Sequence, residues 1–293
     1  MAAESYDVAV VGGGPSGSSA AVFTGRYDLD TVVFDAGNAA LARSAYLTNY
    51  LGFPEGIDIP TFYGLLDRHV REAGCEKVEE TVERVERAEN GFRVETGDGT
   101  VAKAKSVVAA AWYDGSYLRP LGEELFVEES HGEETAESLD PDYADAEGRT
   151  PVDGLYIAAP AARRNAQAII AAGNGARVAR ALIEDRRREA GYPEQTVPYY
   201  DWLRKERNVT GEWAERERWR EWFAEQAGEH DLSEARYEEL RETYIDDRFE
   251  QVIDREETDA RKRGGTEALV MELGAERVLD ALDDETIAAY LEE

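Results

Sequence analysis

Residues 6–17 read YDVAVVGGGPSG, an apolar strand that runs directly into a loop with three spaced glycines, Gly12, Gly14 and Gly17. In a dinucleotide-binding loop the first glycine allows the tight turn, and the second lets the backbone approach a pyrophosphate. The third lets the following helix pack on the strand. The phosphates then lie at the N-terminus of that helix, where free N–H groups and the helix dipole favour an anion. The stretch therefore predicts a dinucleotide-binding fold.

The sequence that follows the loop supplies the other elements of this fold. Residues 18–27, SSAAVFTGRY, can form the helix, and residues 31–35, TVVFD, form a second strand that ends in Asp35. A carboxylate about 20 residues beyond the loop is placed to accept hydrogen bonds from a ribose 2′-hydroxyl. It favours an adenosine that lacks a 2′-phosphate. An ordinary glycine-rich turn explains neither the second strand nor Asp35.

The 293-residue chain carries 63 acidic and 33 basic residues, a formal net charge of −30. Such a field repels nucleic acid and anionic membrane surfaces, so we expect neither as a partner. Most of the basic residues are arginines. The lysines are Lys77, Lys103, Lys105, Lys205 and Lys262. An acid-rich, lysine-poor surface is typical of proteins from salt-loving organisms, because high salt screens the self-repulsion.

Several simple features of the sequence indicate a soluble cytoplasmic protein without a metal centre. The N-terminal MAAESYD leads straight into the first strand, and no apolar run approaches the roughly 20 residues of a membrane span. Cys75 is the only cysteine, which excludes an intrachain disulfide, and its surroundings favour a structural thiol over a catalytic one. His69, His131 and His230 show no metal-binding spacing, and we expect no metal ligands.

Further segments follow in a specific order. TNYLGFPEGI (48–57) leads into PTFYGLLDRHVREAG (60–74), which has the pattern of a helix. Alternating strand patterns follow in KVEETVERVER, GFRVETG and TVAKAKSVVAAA. Later, GLYIAAP (154–160) reads as a strand that runs towards the helical stretch NAQAIIAAGNGARVARALIED (165–185).

GGGPSG, NYLGFPEGI, DGLYIAAP and AQAIIAAGNGARVA, in that order, resemble the thioredoxin reductase branch of the flavin-dependent disulfide reductases. The resemblance covers about residues 5–122 and 150–186. In that family these pieces form one FAD domain, which an NADPH domain interrupts in the sequence. The resemblance therefore implies an α/β protein with a three-layer FAD/NAD(P)-binding Rossmann-like domain over residues 1–192. It also suggests a homodimer, and we expect a mostly α-helical extension over residues 193–293.

By the same resemblance, the FAD-binding positions lie in the glycine loop, at the end of the second strand, and in the later segments that face the flavin in the family. They are Gly12, Gly13, Gly14, Pro15, Ser16, Gly17, Asp35, Ala36, Asn49, Ala111, Pro160, Gln167 and Ala168. Gln167 and Ala168 begin a helix that faces the pyrimidine end of the isoalloxazine in the family, where its dipole stabilises a reduced flavin. Tyr50, Phe53 and Pro54 run close to the flavin or, alternatively, pack the loop. No catalytic residue is identified.

The sequence departs from the family where the NADPH domain would be inserted. Residues 123–150 are too short for such a domain and contain no second glycine fingerprint. Their many acids predict a solvated or flexible connector. The family's paired redox cysteines lie in the absent domain, and Cys75 alone cannot replace them. The family's transfer of electrons from NADPH to a dithiol is therefore excluded for this chain.

Other departures affect the flavin site itself. The aspartate that binds the flavin ribityl chain in the family aligns with Pro160, which offers no side-chain acceptor. Losing such a charge-assisted hydrogen bond costs about 1.5–3 kcal/mol, which FAD binding can survive. Trp112 and Tyr113 replace small residues and either stack on the ring or, as we favour, fill space. Arg163 and Arg164 either reinforce the positive field near Gln167 or pair with surface acids.

The last hundred residues are predicted to be short amphipathic helices that follow a proline-containing linker. One predicted helix face consists of Trp219, Trp222 and Phe223. A second face consists of Tyr237, Leu240 and Tyr244. Ser233 and Thr266 are expected N-caps. Four of the five tryptophans lie here, so the segment needs a surface that buries them. We favour docking of this segment on its own flavin domain or on a second subunit. The alternatives are that it binds an electron-transfer partner or forms a lid over the flavin.

Two functions from different classes follow from these observations. The intact loop and Asp35 favour a FAD-dependent oxidoreductase that transfers a hydride or electrons to a small molecule or a protein, without a dithiol. Pro160 and the missing cysteine pair favour a non-catalytic flavin or dinucleotide-binding module that recruits a partner through the helical tail. Binding of NAD at the same loop is a third alternative, which GLYIAAP (154–160) and AQAIIAAG (166–173) disfavour.

Overall fold

A computed structural model describes residues 4–37, 40–111, 115–131, 134–140, 142–158 and 167–291. The chain divides into two compact units, Met1–Arg186 and Arg187–Glu293. The sequence places the boundary between residues 192 and 193, at the linker that follows the last predicted helix of the first domain.

The elements begin and end close to where the apolar patterns predict. The strands are β1 (Glu4–Val11), β2 (Thr31–Phe34), β3 (Glu76–Val78), β4 (Val82–Ala88), β5 (Gly91–Thr96), β6 (Val101–Ala109), β7 (Phe126–His131), β8 (Glu134–Leu139) and β9 (Leu155–Ile157). The first three helices are α1 (Pro15–Arg26), α2 (Ile59–Glu72) and α3 (Ala168–Ala190). Asp58 caps α2, because its side chain accepts a hydrogen bond from the Thr61 N–H at 2.9 Å.

The main sheet of the first unit runs in the order β3-β2-β1-β6-β5-β4, and β9 also pairs with β6. The pairs β3-β2, β2-β1, β1-β6 and β6-β9 are parallel, whereas β4-β5 and β5-β6 are antiparallel. In register, Val8 of β1 pairs with Thr31 and with Ser106. The carboxyl ends of the parallel strands therefore meet at one edge, where open α/β sheets bind their ligands.

Strand β1 is buried on both faces, which explains its nearly continuous apolar sequence. Val8 and Val10 pack with residues of α1 and α3 in one core cluster. Ala9 and Val11 pack on the other side, with residues of β4, β5 and the 3₁₀ turn Ser116–Leu121. The first unit thus has three layers, namely helices, a parallel sheet and an antiparallel strand pair, and the predicted fold class is confirmed.

The acidic segment at 123–150, predicted to be a solvated or flexible connector, has regular secondary structure among its described residues. It contains the antiparallel hairpin β7-β8, in which Phe126 pairs with Leu139. Leu125, Phe126 and Leu139 are buried in the same core cluster as β4 and β5. The hairpin itself was not predicted, because a few apolar residues at its base anchor a segment that carries many acidic residues.

The second unit contains the strands β10 (Arg204–Lys205) and β11 (Val252–Ile253) and five helices among its described residues. The helices are α4 (Arg216–Ala227), α5 (Glu234–Glu250), α6 (Arg255–Leu273), α7 (Ala275–Asp280) and α8 (Asp284–Leu291). Both predicted aromatic faces contribute to one cluster between α4 and α5, in which Phe223 is fully buried. The tail therefore buries aromatic side chains within its own unit; docking on another surface stays a prediction.

One of the two predicted N-caps in this unit is correct. The Ser233 side chain accepts a hydrogen bond from the Arg236 N–H, so α5 begins where predicted. Thr266 is not a cap, because it lies inside α6. Asp254 starts that helix instead, accepting from the Glu257 N–H at 2.7 Å. Across the described residues, no helix is long and apolar enough to cross a membrane.

Candidate functional site

The glycine loop after β1 is closed by backbone contacts that leave no room for side chains. Gly12 has φ +106°, and a Cβ at this position would lie 2.8 Å from the Ala111 nitrogen. A Cβ on Gly17 would lie 1.8 Å from the Gly12 carbonyl oxygen. The first glycine therefore allows the turn and the third lets α1 pack on it, as the sequence predicts. Ala111, a predicted site residue two residues beyond β6, lies against this turn.

Asp35 lies directly against the second residue of the loop. A Cβ on Gly13 would be 2.4 Å from Asp35 Oδ2, so Gly13 must be glycine. The carboxylate is largely buried, and its Oδ1 accepts a hydrogen bond from the Gly37 N–H at 3.1 Å. The structure thus places Asp35, the carboxylate predicted to bind the ribose, beside the loop predicted to bind the pyrophosphate. Ala36, the next predicted residue, is exposed.

Helix α1 directs its N-terminus at the loop. Gly14 is the N-cap, with extended backbone, and Pro15 is the first helical residue. The Ser18 hydroxyl donates to the Gly13 carbonyl oxygen at 2.9 Å, which fixes the loop on the helix. The first turn contains no acidic residue. Its positive end is therefore suited to a pyrophosphate.

Helix α3 and the end of β9 pack on the start of α1. The Ser16 hydroxyl donates to the Ala158 carbonyl oxygen at 2.6 Å, and the Asn174 side-chain amide donates to the same oxygen at 3.2 Å. A Cβ on Gly175 would lie 1.9 Å from the Ser16 carbonyl oxygen. Ala158 and the Asn174–Gly175 part of α3, which are far from the loop in sequence, therefore pack against the start of α1.

The two segments that resemblance places near the flavin ring are also joined. The Asn49 side-chain amide donates to Gln167 Oε1 at 2.6 Å, and both residues are exposed. Ala168, the first residue of α3, is buried with Ile57 of the other segment and with Leu47, which precedes it. Three predicted site residues from opposite ends of the domain thus meet at one place.

Aromatic residues of the 48–57 segment pack on α2. The Tyr50 ring centroid lies 4.9 Å from that of Phe62, and the Phe53 centroid lies 6.2 Å from it. Burial raises the pKa of Tyr50. These contacts support the alternative of loop packing for Tyr50 and Phe53, whereas Pro54 is exposed.

A cluster around Asp35 was not predicted from the sequence. Lys77 of β3 places its Nζ 3.2 Å from Asp35 Oδ2 and 3.0 Å from Asp67 Oδ1. Burial lowers the pKa of Lys77, but the hydrogen bond to Asp67 and the charge of Asp35 outweigh this effect and raise it above its usual value. The available signal was a rare lysine on the strand beside β2. Its partners come from another strand and a helix, which sequence spacing does not reveal.

Tyr63, one turn before Asp67 on α2, completes this cluster. Within the described part of the chain, its buried hydroxyl has no hydrogen-bond partner. Burial, and then the charge of Asp35, raise the pKa of Tyr63 to about 12. The hydroxyl therefore stays protonated at neutral pH and can donate a hydrogen bond.

Cys75 is a structural thiol, as predicted. It is buried in the core beneath α1, and its Sγ donates to the Ala21 carbonyl oxygen at 3.2 Å. Burial raises the pKa of Cys75 to about 11, which keeps the thiol protonated and unreactive at neutral pH.

Some predicted residues lie outside the described residues. They are Pro160, Trp112, Tyr113, Arg163 and Arg164. Their assignments stay predictions from the sequence.

The described residues fit an adenine dinucleotide such as FAD. Gly12, Gly13 and Gly17 pack so closely on the surrounding protein that none has room for a Cβ, and the N-terminus of α1 begins at this loop, where an anion is favoured. Asp35 supplies an acceptor beside it, and the Tyr63 hydroxyl is a buried polar group with no hydrogen-bond partner among the described residues. The fold and this site define the class of FAD/NAD(P)-binding Rossmann-like proteins.

Comparisons with known proteins show what the chain is similar to within that class. No family model matches the chain. A thioredoxin reductase of Rickettsia prowazekii is 28% identical over 121 residues, which are 41% of this chain and 39% of that protein. One of Listeria monocytogenes is 30% identical over 121 residues, 41% of this chain and 37% of that protein. The chain thus spans about two fifths of the length of the curated relatives it matches.

Solved structures show the same fold. A thioredoxin reductase from Gloeobacter violaceus aligns with a TM-score of 0.53 at 18% identity, over 69% of this chain and 98% of that one. An oxidoreductase from Agrobacterium tumefaciens aligns with a TM-score of 0.52 at 13% identity, over 64% and 99%. The chain is similar to thioredoxin reductases, as its motifs predict, and FAD is the cofactor of that family.

Proposed function

We propose that this chain binds FAD at the carboxyl edge of its parallel sheet and is a flavin-dependent oxidoreductase without a dithiol of its own. The contact between Asn49 and Gln167 carries this proposal. It joins the two segments that face the flavin in thioredoxin reductases, and Gly175 of the same helix α3 packs on the loop at Ser16. A dinucleotide loop alone would not require the 48–57 segment to meet α3.

Each part of the site has a role in this proposal. The loop from Gly12 to Gly17 and the N-terminus of α1 hold the pyrophosphate, and Asp35 accepts hydrogen bonds from the adenosine ribose. The N-terminal end of α3, at Gln167, places positive potential where negative charge develops on a reduced flavin. The chemistry that FAD supplies when bound is hydride or single-electron transfer.

The electron donor and acceptor are proposed to come from outside the chain. The segment between β6 and β9 holds a hairpin instead of a second nucleotide-binding domain, and Cys75 is buried and protonated. A small molecule or a protein therefore exchanges electrons with the flavin directly. We also propose that the protein is cytoplasmic and that it forms a homodimer. Light scattering at matched concentration tests the homodimer.

The test of the proposed chemistry is anaerobic reduction of the FAD-loaded full chain. We expect dithionite to bleach the flavin absorbance and NADH or NADPH to bleach it as well. Air is then expected to restore the absorbance of the oxidised flavin. Gly14→Val puts a side chain at the pyrophosphate and is expected to abolish FAD retention. Gly173→Val is the matched control, because a Cβ there meets nothing within 4 Å. Equal FAD content in both variants would contradict the assignment of the glycine loop as the pyrophosphate-binding site.

The second candidate function is a non-catalytic flavin-binding module. The replacement of the ribityl-binding aspartate by Pro160 and the buried single thiol favour it. Under this alternative, FAD binds and dithionite reduces it, but neither nicotinamide nucleotide reacts and reoxidation by air is no faster than that of free flavin.

A further inference from the structure

Lys77 lies between two carboxylates at the edge of the sheet where the glycine loop begins. Its Nζ is 3.2 Å from Asp35 Oδ2 and 3.0 Å from Asp67 Oδ1, and its side chain is 17% exposed to solvent. Strand pairing brings it there, because Lys77 is in register with Val33, two residues before Asp35. An ion pair enclosed to this extent holds its partners more firmly than an exposed one.

The Asp35 carboxylate is held from three sides. The Gly37 N–H donates to Oδ1, Lys77 pairs with Oδ2, and Gly13 is so close that a Cβ on it would lie 2.4 Å from the same Oδ2. In addition, the Asp35 N–H donates to the Val78 carbonyl oxygen at 2.9 Å, which ties the end of β2 to β3. Of these contacts, the Lys77 ion pair is the one that a side-chain substitution can remove without changing the loop.

Asp67 holds Lys77 from the helix side. It lies on α2, where Arg71, one turn later, pairs with its other oxygen at 2.9 Å. The charges therefore run from Arg71 through Asp67 and Lys77 to Asp35, with alternating signs. Each member is fixed by the next, and the chain of charges ends at the glycine loop.

We propose that Lys77 is a positioning residue that holds the Asp35 carboxylate for hydrogen bonding to the 2′-hydroxyl of the bound adenosine, and that Asp67 anchors Lys77. This inference rests on the proposed binding of FAD. Without the ammonium group, Asp35 and Asp67 are two neighbouring carboxylates that repel each other, and Asp35 turns away from the ribose. The effect reaches the ligand only through the 2′-hydroxyl.

The experiment compares the affinities of ADP and 2′-deoxy-ADP for the FAD-free full chain by calorimetric titration. For the unmodified chain we expect ADP to bind about tenfold to a hundredfold more tightly, the effect of one hydrogen bond to a charged acceptor. Lys77→Met lowers this ratio at least about threefold, with the affinity for 2′-deoxy-ADP unchanged. Lys77→Arg keeps the charge and restores most of the ratio. Lys103→Met, at an exposed position on β6, is the matched control and leaves the ratio unaltered.

Outcomes that contradict the inference differ from those that contradict FAD binding. Equal weakening of both nucleotides by Lys77→Met would mean a merely structural role, and a ratio near one in the unmodified chain would mean that Asp35 does not read the 2′-hydroxyl. Either result overturns the inference. If Lys77→Met does not fold, Asp67→Asn replaces it and is expected to lower the same ratio. Failure of the unmodified chain to bind FAD and both nucleotides would instead overturn the proposed function.

Discussion

Gly175 and Gly173 lie two residues apart in α3, yet their surroundings differ completely. A Cβ on Gly175 would lie 1.9 Å from the Ser16 carbonyl oxygen, whereas one on Gly173 would meet nothing within 4 Å. The first glycine is required by close packing on the loop. The second is an exposed helical position, where glycine only weakens the helix.

This difference gives a matched pair of substitutions. Gly175→Ala is expected to lower the free energy of unfolding by about 1–3 kcal/mol and to reduce bound FAD, because α3 is pushed away from Ser16. Gly173→Ala is expected to raise the free energy of unfolding by about 0.5–1 kcal/mol and to leave FAD bound. Urea denaturation and the flavin absorbance of the purified variants measure both effects. Similar behaviour of the two variants would contradict the packing of α3 on the loop.

Cys75 provides a second prediction for a single residue. Its thiol is buried and its pKa is raised to about 11, so it should resist alkylation at pH 8 in the folded chain and react after denaturation. Cys75→Ala should not alter flavin reduction. Mass spectrometry after iodoacetamide treatment is the measurement, and rapid labelling of the native chain would contradict a structural thiol.

Helices α4 and α5 form an aromatic cluster around Phe223. Its ring centroid lies 5.6 Å from each of the centroids of Tyr237 and Tyr244, and the side chain is fully buried. Phe223→Ala is expected to lower the free energy of unfolding of the second unit by about 3–5 kcal/mol, because it leaves a cavity.

The control for this prediction is Tyr290→Ala on α8, which removes an aromatic ring that is 80% exposed. Its effect should stay within about 0.5 kcal/mol. Tryptophan fluorescence during urea denaturation follows the second unit, because Trp219 and Trp222 belong to the cluster. Equal stabilities of the two variants would show that the cluster does not stabilise the tail.

The same two helices are joined by an ion-pair network at Glu242. Arg220 of α4 donates to both of its oxygens, at 3.0 and 2.9 Å. These hydrogen bonds are the largest cause that lowers the pKa of Glu242 to about 2. Because the folded-state pKa lies below the ordinary value of 4.5, Glu242 stabilises the fold above about pH 4.5. That stabilisation is lost as the pH falls towards 2.

Glu242→Gln is therefore expected to lower the free energy of unfolding at pH 7 by about 1 kcal/mol, with a smaller difference at pH 3 to 4. Glu238→Gln is the control, because Glu238 is 66% exposed and has only a 3.7 Å ion pair with Arg241. Urea denaturation across this pH range is the measurement. A constant difference at all pH values would contradict the role of the charge.

At the scale of elements, the sequence predicts what depends on local pattern. The apolar run of β1, the glycine spacing and the cap at Ser233 are all confirmed, because each is encoded within a few residues. The hairpin β7-β8 was not predicted, since its charge suggested a connector and its anchoring at Leu125 depends on packing against distant strands.

The site was predictable to a similar extent. The resemblance identified Asn49 and Gln167, and the structure shows that they meet. It did not identify Lys77, because the contacts of Lys77 arise from the pairing of β3 with β2 and from the packing of α2. Tertiary neighbours of this kind are not encoded in the spacing of residues.

For the molecule as a whole, the net charge of −30 determines how the chain responds to salt. Self-repulsion destabilises a compact state, and salt screens it, so the melting temperature should rise between 0.1 and 2 M KCl. Each kcal/mol of relieved repulsion corresponds to about 2–4 °C. Differential scanning fluorimetry measures this, with equal osmolality of glycerol as the control for non-ionic effects. A melting temperature independent of KCl would contradict the salt-adapted interpretation.

The central claim, that the three-layer domain holds FAD at its glycine loop, is tested most directly by the visible absorbance spectrum of the full chain purified in high salt and then incubated with excess FAD and desalted. We predict the absorbance bands of a bound flavin at about one FAD per chain, and their loss in Gly14→Val but not in Gly173→Val. A colourless protein that cannot be reconstituted, or a flavin retained equally by both variants, would contradict it.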